Sequence, residues 1–149
     1  MGSLIVDRRE PWRLVDAIRD RTDYDVESEQ IKTGDIISEE LSAAVERKTL
    51  NDAVESVGNN RLFQQAERIA DEFDHGCVIV TGQSIHPIRA ECHNGHTASV
   101  RMVMGATSYI NEEYPHVHCT WLPGGQTGET DWGIVQLVEY MDRWLKQVG

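Results

Sequence analysis

The chain has 149 residues, carries 25 acids against 14 bases for a formal net charge of −11, and holds only three cysteines. That length suits one domain with a single core, and the charge argues against a protein that grips nucleic acid through a broad basic face. The cysteines stand far apart at Cys77, Cys92 and Cys119, no apolar run reaches the length of a membrane span, and no signal peptide opens the chain, so a cytoplasmic protein with no membrane partner is expected.

Only Lys32, Lys48 and Lys146 are lysine. Excess acid with so little lysine is the pattern of proteins that stay hydrated at very high salt, and it predicts a haloarchaeal or halophilic viral source.

In chain order, Leu4 to Val6 read as a short buried strand ending at Asp7. Pro11 suits the first turn of a helix whose apolar stripe is Trp12, Leu14, Val15 and Ile18. Val26 to Ile31 alternate as a second strand. Ile36-Ile37 and Val45 then mark two β-branched runs joined by a polar link from Ser38 to Ser42, which reads as a hairpin. A turn at Glu40-Leu41 would pair Ile36 with Val45 and Asp35 with Glu46. Opposed Cβ atoms lie roughly 4.5–5.5 Å apart, so both carboxylates could reach one ion. Lys48, two residues beyond Glu46, points the same way. Two carboxylates beside a lysine make a hard-oxygen site of the kind Mg²⁺ uses on phosphate substrates.

Thr49 to Val57 read as a helix stopped by Gly58, and Thr49-Leu50-Asn51-Asp52 has the form of a capping box, which gives Asp52 a structural role. Arg61 to Phe73 form an amphipathic helix with Leu62, Ala66, Ile69 and Phe73 on one face. Cys77 to Thr81 form a continuous apolar run, as in a central strand buried on both faces. A helix from about Thr97 to Ile110, a strand from Val117 to Leu122, a Gly-rich loop from Gly124 to Gly128 and a helix from about Thr130 to Lys146 complete the chain.

Taken together, Ile5-Val6-Asp7-Arg8-Arg9-Glu10, Gly34-Asp35, Glu46-Arg47-Lys48, Asp52 and Arg61-Leu62-Phe63-Gln64-Gln65 resemble, in order, the blocks of the XPF-type structure-specific endonucleases, whose relatives include the archaeal Hef nuclease domain. The match is dense from Leu4 to Gly82. The interval between Asp35 and Glu46 is one residue longer than is usual there, which implies a slightly altered turn.

The resemblance implies a restriction-endonuclease-like, three-layer α/β/α fold with a central mixed sheet. It implies a Mg²⁺-dependent endonuclease, with Mn²⁺ able to substitute, that cuts branched, flap or fork DNA in repair, recombination or replication. Asp35 and Glu46 would be the metal ligands, Lys48 a catalytic cation, and Asp7 and Glu10 supporting acids. Arg9, Arg47, Asp52, Arg61 and Gln65 would be supporting or DNA-facing. Residues 1–149 are expected to form one nuclease domain without the helix-hairpin-helix module or helicase of many relatives, serving alone or in a larger assembly. Ile134, Leu137, Val138, Met141, Trp144, Leu145 and Val148 make one stripe widened by Val135 and Tyr140, so a homodimer through the C-terminal helices is expected.

Two other readings compete. One is a non-catalytic subunit of the same type that stabilises an active partner, although such subunits tend to lose the acids kept here. The other is a zinc-stabilised binding module built from Cys92, His93, His96, His116, His118 and Cys119. Their spacings match closed zinc sites poorly, since His116 and His118 would share a strand face from which Cys119 points away.

Overall fold

A computed structural model describes residues 2–82, 89–91, 97–127 and 129–149. In chain order the elements are β1 (Ser3–Asp7), α1 (Trp12–Arg21), β2 (Asp25–Glu29), β3 (Ile36–Ser38), β4 (Ala43–Thr49), α2 (Leu50–Gly58), α3 (Arg61–Glu72), β5 (His75–Thr81), β6 (Arg89–Glu91), β7 (Thr97–Ser99), α4 (Val100–Glu113), β8 (Val117–Leu122), β9 (Gln126–Thr127), β10 (Thr130–Asp131) and α5 (Trp132–Val148).

Six strands form the main sheet in the order β2-β1-β3-β4-β5-β8. β1 and β4 each run antiparallel to β3, while the β1–β2, β4–β5 and β5–β8 pairs are parallel. The sheet is therefore mixed through one reversed strand. Its interior suits the apolar run of β5, whose residues from Gly76 to Thr81 are all buried. The edge strand β2 carries exposed Asp25, Glu27 and Glu29, charges that discourage edge-to-edge pairing.

Helices cover both faces, giving the three layers expected. On one side Leu14 and Ile18 of α1 and Leu137, Val138, Met141 and Leu145 of α5 pack on Leu4, Val6, Ile36, Val45, Cys77 and Ile79. On the other, Leu62, Ala66 and Ile69 of α3 and Ala106 and Ile110 of α4 pack on Ala44, Val78, Val117 and Cys119. Leu50, Ala53 and Val54 of α2 close that side against Val80 and Val103.

Several local readings change. Trp12 lies off the α1 stripe and is 69% exposed, because two helical residues before Leu14 is the opposite side of the helix. The hairpin link is a four-residue loop, Glu39 to Ser42, with Ser42 at φ 50, although Ile36 does pair Val45. Thr97 to Ser99 are strand rather than the start of α4, and the Gly-rich loop contains β9, which pairs with β10. His116 precedes β8, and its Nε2 stands 2.8 Å from the Ala70 carbonyl oxygen of α3. His118 instead stacks on Tyr140 of α5, so the two histidines go to opposite faces of the sheet. Among the described residues no three His, Cys, Asp or Glu side chains stand close enough together to hold a metal ion. Cys92, His93 and His96 lie outside the described residues. No described helix is long and apolar enough to cross a membrane.

Candidate active site

From β1 the chain winds through α1 to β2 at one side of the sheet. From β4 it winds through β5 to β8 at the other. At the carboxyl ends of strands where the winding reverses, helices diverge and leave a crevice, the usual place for a ligand in open α/β sheets. Asp7 ends β1 there, and Glu46 and Lys48 lie in the last half of β4.

The reversed strand β3 brings Asp35 between them. One step beyond the β1–β3 ladder places Asp35 opposite Asp7, whose N–H donates to the Asp35 carbonyl oxygen at 2.9 Å. The same step on the β3–β4 ladder places Asp35 opposite Glu46. Gly34 turns the chain into this position at φ +84, and a Cβ there would meet the Ala44 Cβ at 3.3 Å. The Asp35 N–H donates to the Val45 carbonyl oxygen, and the Arg47 N–H donates to Asp35 Oδ2, both at 2.8 Å.

The Asp35 and Glu46 carboxyls are in hydrogen-bond contact, and the Asp35 pKa is pushed up to about 8. Loss of solvent is the largest cause, followed by the hydrogen bond to Glu46 and its charge, against which the Arg47 N–H pulls weakly. Asp7, Glu46 and Lys48 are only 3%, 5% and 6% exposed, and charged groups that deep need partners.

Asp7 has one. Arg9 donates from Nε to Oδ1 at 3.1 Å and from Nη2 to Oδ2 at 2.7 Å, which holds the Asp7 carboxyl below the usual carboxylate range. Glu10 has another, since Arg47 donates to its Oε2 from Nε at 2.9 Å and from Nη2 at 2.6 Å. Burial nonetheless raises the Glu10 pKa, and the arginine only opposes that rise. The Asp-x-Arg-Glu block thus delivers two acids each holding an arginine, beside one pair of carboxylates that face each other.

A cleft of about 90 Å³ opens on that pair, lined by Arg9, Lys32, Thr33, Gly34, Asp35, Glu46, Gln65 and Arg68. Of the expected site residues, the fold brings Asp35, Glu46, Arg9 and Gln65 to this cleft. Glu10 and Arg47 flank Asp35, and Lys48 follows Glu46 on β4. Asp52 stands in the first turn of α2, where its N–H donates to the Thr49 hydroxyl at 3.2 Å. Arg61 reaches Ser56 at 3.4 Å, and neither Asp52 nor Arg61 lines the cleft. Lys32, Thr33 and Arg68 do line it, though they stand in no motif. The one sequence signal for Arg68 is its place three residues beyond Gln65, on the same side of α3.

The pattern of an ERCC4 domain matches residues 6–124, four fifths of the chain and every residue of this site. The chain belongs to the ERCC4 domain family. No curated protein matches it. Among solved structures, this ERCC4 domain is similar to XPF from Aeropyrum pernix in complex with DNA, with a TM-score of 0.71 and 23% identity over 99% of this chain and 66% of that one. XPF from the same organism without a named partner gives 0.68 and 24% over 97% of this chain and 65% of that one. The ERCC4 domain thus shares its fold with those chains and spans about two thirds of their length.

Proposed function

We propose that this chain is a Mg²⁺-dependent endonuclease that hydrolyses a phosphodiester at branched, flap or fork DNA, with Mn²⁺ able to replace Mg²⁺. The observation that carries this reading is the Asp35–Glu46 pair. Two carboxyls are held in contact at the carboxyl edge of the sheet, and burial first, then the neighbouring Glu46, push the Asp35 pKa up to about 8. Such a pair is costly unless a cation sits between them, and two carboxylate oxygens are the hard donors that Mg²⁺ takes alongside water and phosphate. The donor set therefore fits the ion, and DNA bound by a relative of the same fold agrees with the substrate.

Bound there, the ion would polarise the phosphate and lower the pKa of a water. Asp35 and Glu46 would hold it. Lys48, two residues from Glu46 on β4, would supply a positive charge to offset the charge that develops on the phosphate oxygens. Arg47, seated on Glu10, keeps its backbone N–H on Asp35 Oδ2 and so fixes the orientation of that carboxyl.

Asp35→Asn or Glu46→Gln should each lower cleavage of a branched DNA by at least about a thousandfold, as expected when a metal-held nucleophile is lost. Lys48→Ala should lower cleavage but leave Mg²⁺ binding unchanged. Unaltered turnover in either carboxamide variant would remove the pair from catalysis, and a wild type that cuts none of the branched DNAs would turn the reading toward a non-catalytic pairing subunit. We also propose self-pairing through the C-terminal helices. Apart from Trp12 of α1, the large apolar side chains exposed among the described residues are Met102, Met104 and Tyr109 of α4 and Trp132 of α5, each at least 41% exposed.

A further inference from the structure

The chain is short of positive charge, with a formal net charge of −11, yet cations from three elements meet at one place. Arg9 comes from the β1–α1 loop, Lys32 from the β2–β3 loop and Arg68 from α3, and all three are exposed on the cleft that holds Asp35 and Glu46. Past Arg9 and Lys32 the surface continues into a wider cleft of about 430 Å³, lined by Arg9, Gln30, Ile31 and Lys32 without an acid.

These positions are held by the fold. Asp7 and the Ile31 carbonyl oxygen accept from the Arg9 guanidinium, whose side chain remains 70% exposed. The Thr33 hydroxyl donates to Glu72 at 2.5 Å and so ties the Lys32 loop to the helix that carries Arg68.

We infer that Arg9, Lys32 and Arg68 form a phosphate lane, gripping the backbone of one DNA strand next to the phosphodiester presented to Asp35 and Glu46, with Asp7 as the positioning residue for Arg9. The inference rests on the nuclease reading above. A row of exposed cations suits phosphates, and a grip on phosphates is indifferent to sequence. Arg68 adds a planar fork matched to phosphate oxygens, and Arg9, whose Nε–Nη2 edge is held by Asp7, leaves its Nη1 toward solvent. The lane also lets a strongly acidic protein hold DNA by local charge, where its overall field would repel it.

The test is anisotropy of a labelled single strand and of a flap with the same sequence, in chelator so that nothing is cut, across a salt series. The Lys32→Ala/Arg68→Ala double variant should bind at least about tenfold more weakly than the wild type. Its salt slope should be shallower by about 1.4, two phosphate contacts at roughly 0.7 each on a single strand. Its melting temperature should not move, because both side chains are exposed.

Asp7→Asn sets the sign. A pure field effect would tighten binding, since a negative charge is removed, whereas a lane that depends on a fixed Arg9 loosens. Wild-type binding matched by the double variant in affinity and slope would overturn the lane and leave the nuclease reading standing. A wild type that binds neither DNA would overturn the lane. Mg²⁺-dependent cleavage by the wild type, scored separately, reports on the nuclease reading alone.

Discussion

Asp35 is the residue at which the site and the stability of the fold are coupled. Its pKa is raised from 3.8 to about 8, so between those values the folded chain keeps a proton that the unfolded chain releases. Without metal, the stability tied to Asp35 is therefore fully present below about pH 4 and is lost as pH rises through about 8, by up to about 6 kcal/mol. Asparagine can imitate the protonated acid, with its oxygen accepting the Arg47 N–H and its amide donating to Glu46. Asp35→Asn should therefore flatten this decline and be more stable than the parent above about pH 8 in chelator. Melting curves across that range check it, and a variant less stable than the parent at the alkaline end would contradict it. The same proton competes with a cation, so the affinity for Mg²⁺ should climb by up to about tenfold per pH unit and level off near pH 8. Calorimetry in two buffers of different ionisation enthalpy would then show close to one proton released per ion bound at neutral pH.

Helix α5 shows how a sequence pattern can overstate free surface. Ile134, Leu137, Val138, Met141 and Leu145 of its stripe are buried, Trp144 and Val148 of the same stripe are partly buried, and Tyr140, expected to widen the free surface, also packs against that core. Trp144→Glu should thus cost the monomer about 2–4 kcal/mol, whether or not the protein pairs. Met104→Glu and Trp132→Glu replace residues that are 50% and 49% exposed, and should leave the melting temperature within about 1 °C of the parent. If the C-terminal helices pair, these two variants should run as monomers in light scattering while the wild type runs as a dimer. A wild type that is monomeric at high concentration would end the pairing proposal. The same contrast marks what was legible. The hairpin register could be read because Ile36 and Val45 must share a buried face, and a slip of one residue would expose both. Its loop could not, since Ser42 takes a left-handed conformation with no glycine to announce it. The three-residue strands β6 and β7 are too short for a period to show. Spacing brought Asp35 and Glu46 together on paper, but not the pairing of Asp7 with Arg9 or Glu10 with Arg47. Lys32 and Arg68 needed the fold itself, because they reach the cleft from separate elements.

For the whole molecule the governing quantity is the surplus of 25 acids over 14 bases. Among the described residues three surface ion pairs offset part of it, Arg21 and Arg143 on Glu139 and Lys146 on Asp142. Pairs of that kind contribute roughly 0–1 kcal/mol each and are screened by the same salt as the repulsion. Repulsion among the unpaired acids reaches further, because it sums over many charges whose interaction dies away in about 10 Å at 0.1 M salt and about 3 Å at 1 M. Screening should therefore relieve more repulsion than it removes attraction, and the melting temperature should rise as sodium chloride goes from tens of millimolar toward molar. Screening also fixes the shape of the curve, steep at low salt and flattening as the screening length falls to atomic size. A salting-out effect would instead keep climbing in proportion to salt and follow the identity of the anion. Melting curves in chloride and in sulfate at matched ionic strength separate the two. Superimposable, saturating curves would support an acidic surface that works best in strong salt, and a melting temperature that stays level or falls with added salt would defeat it.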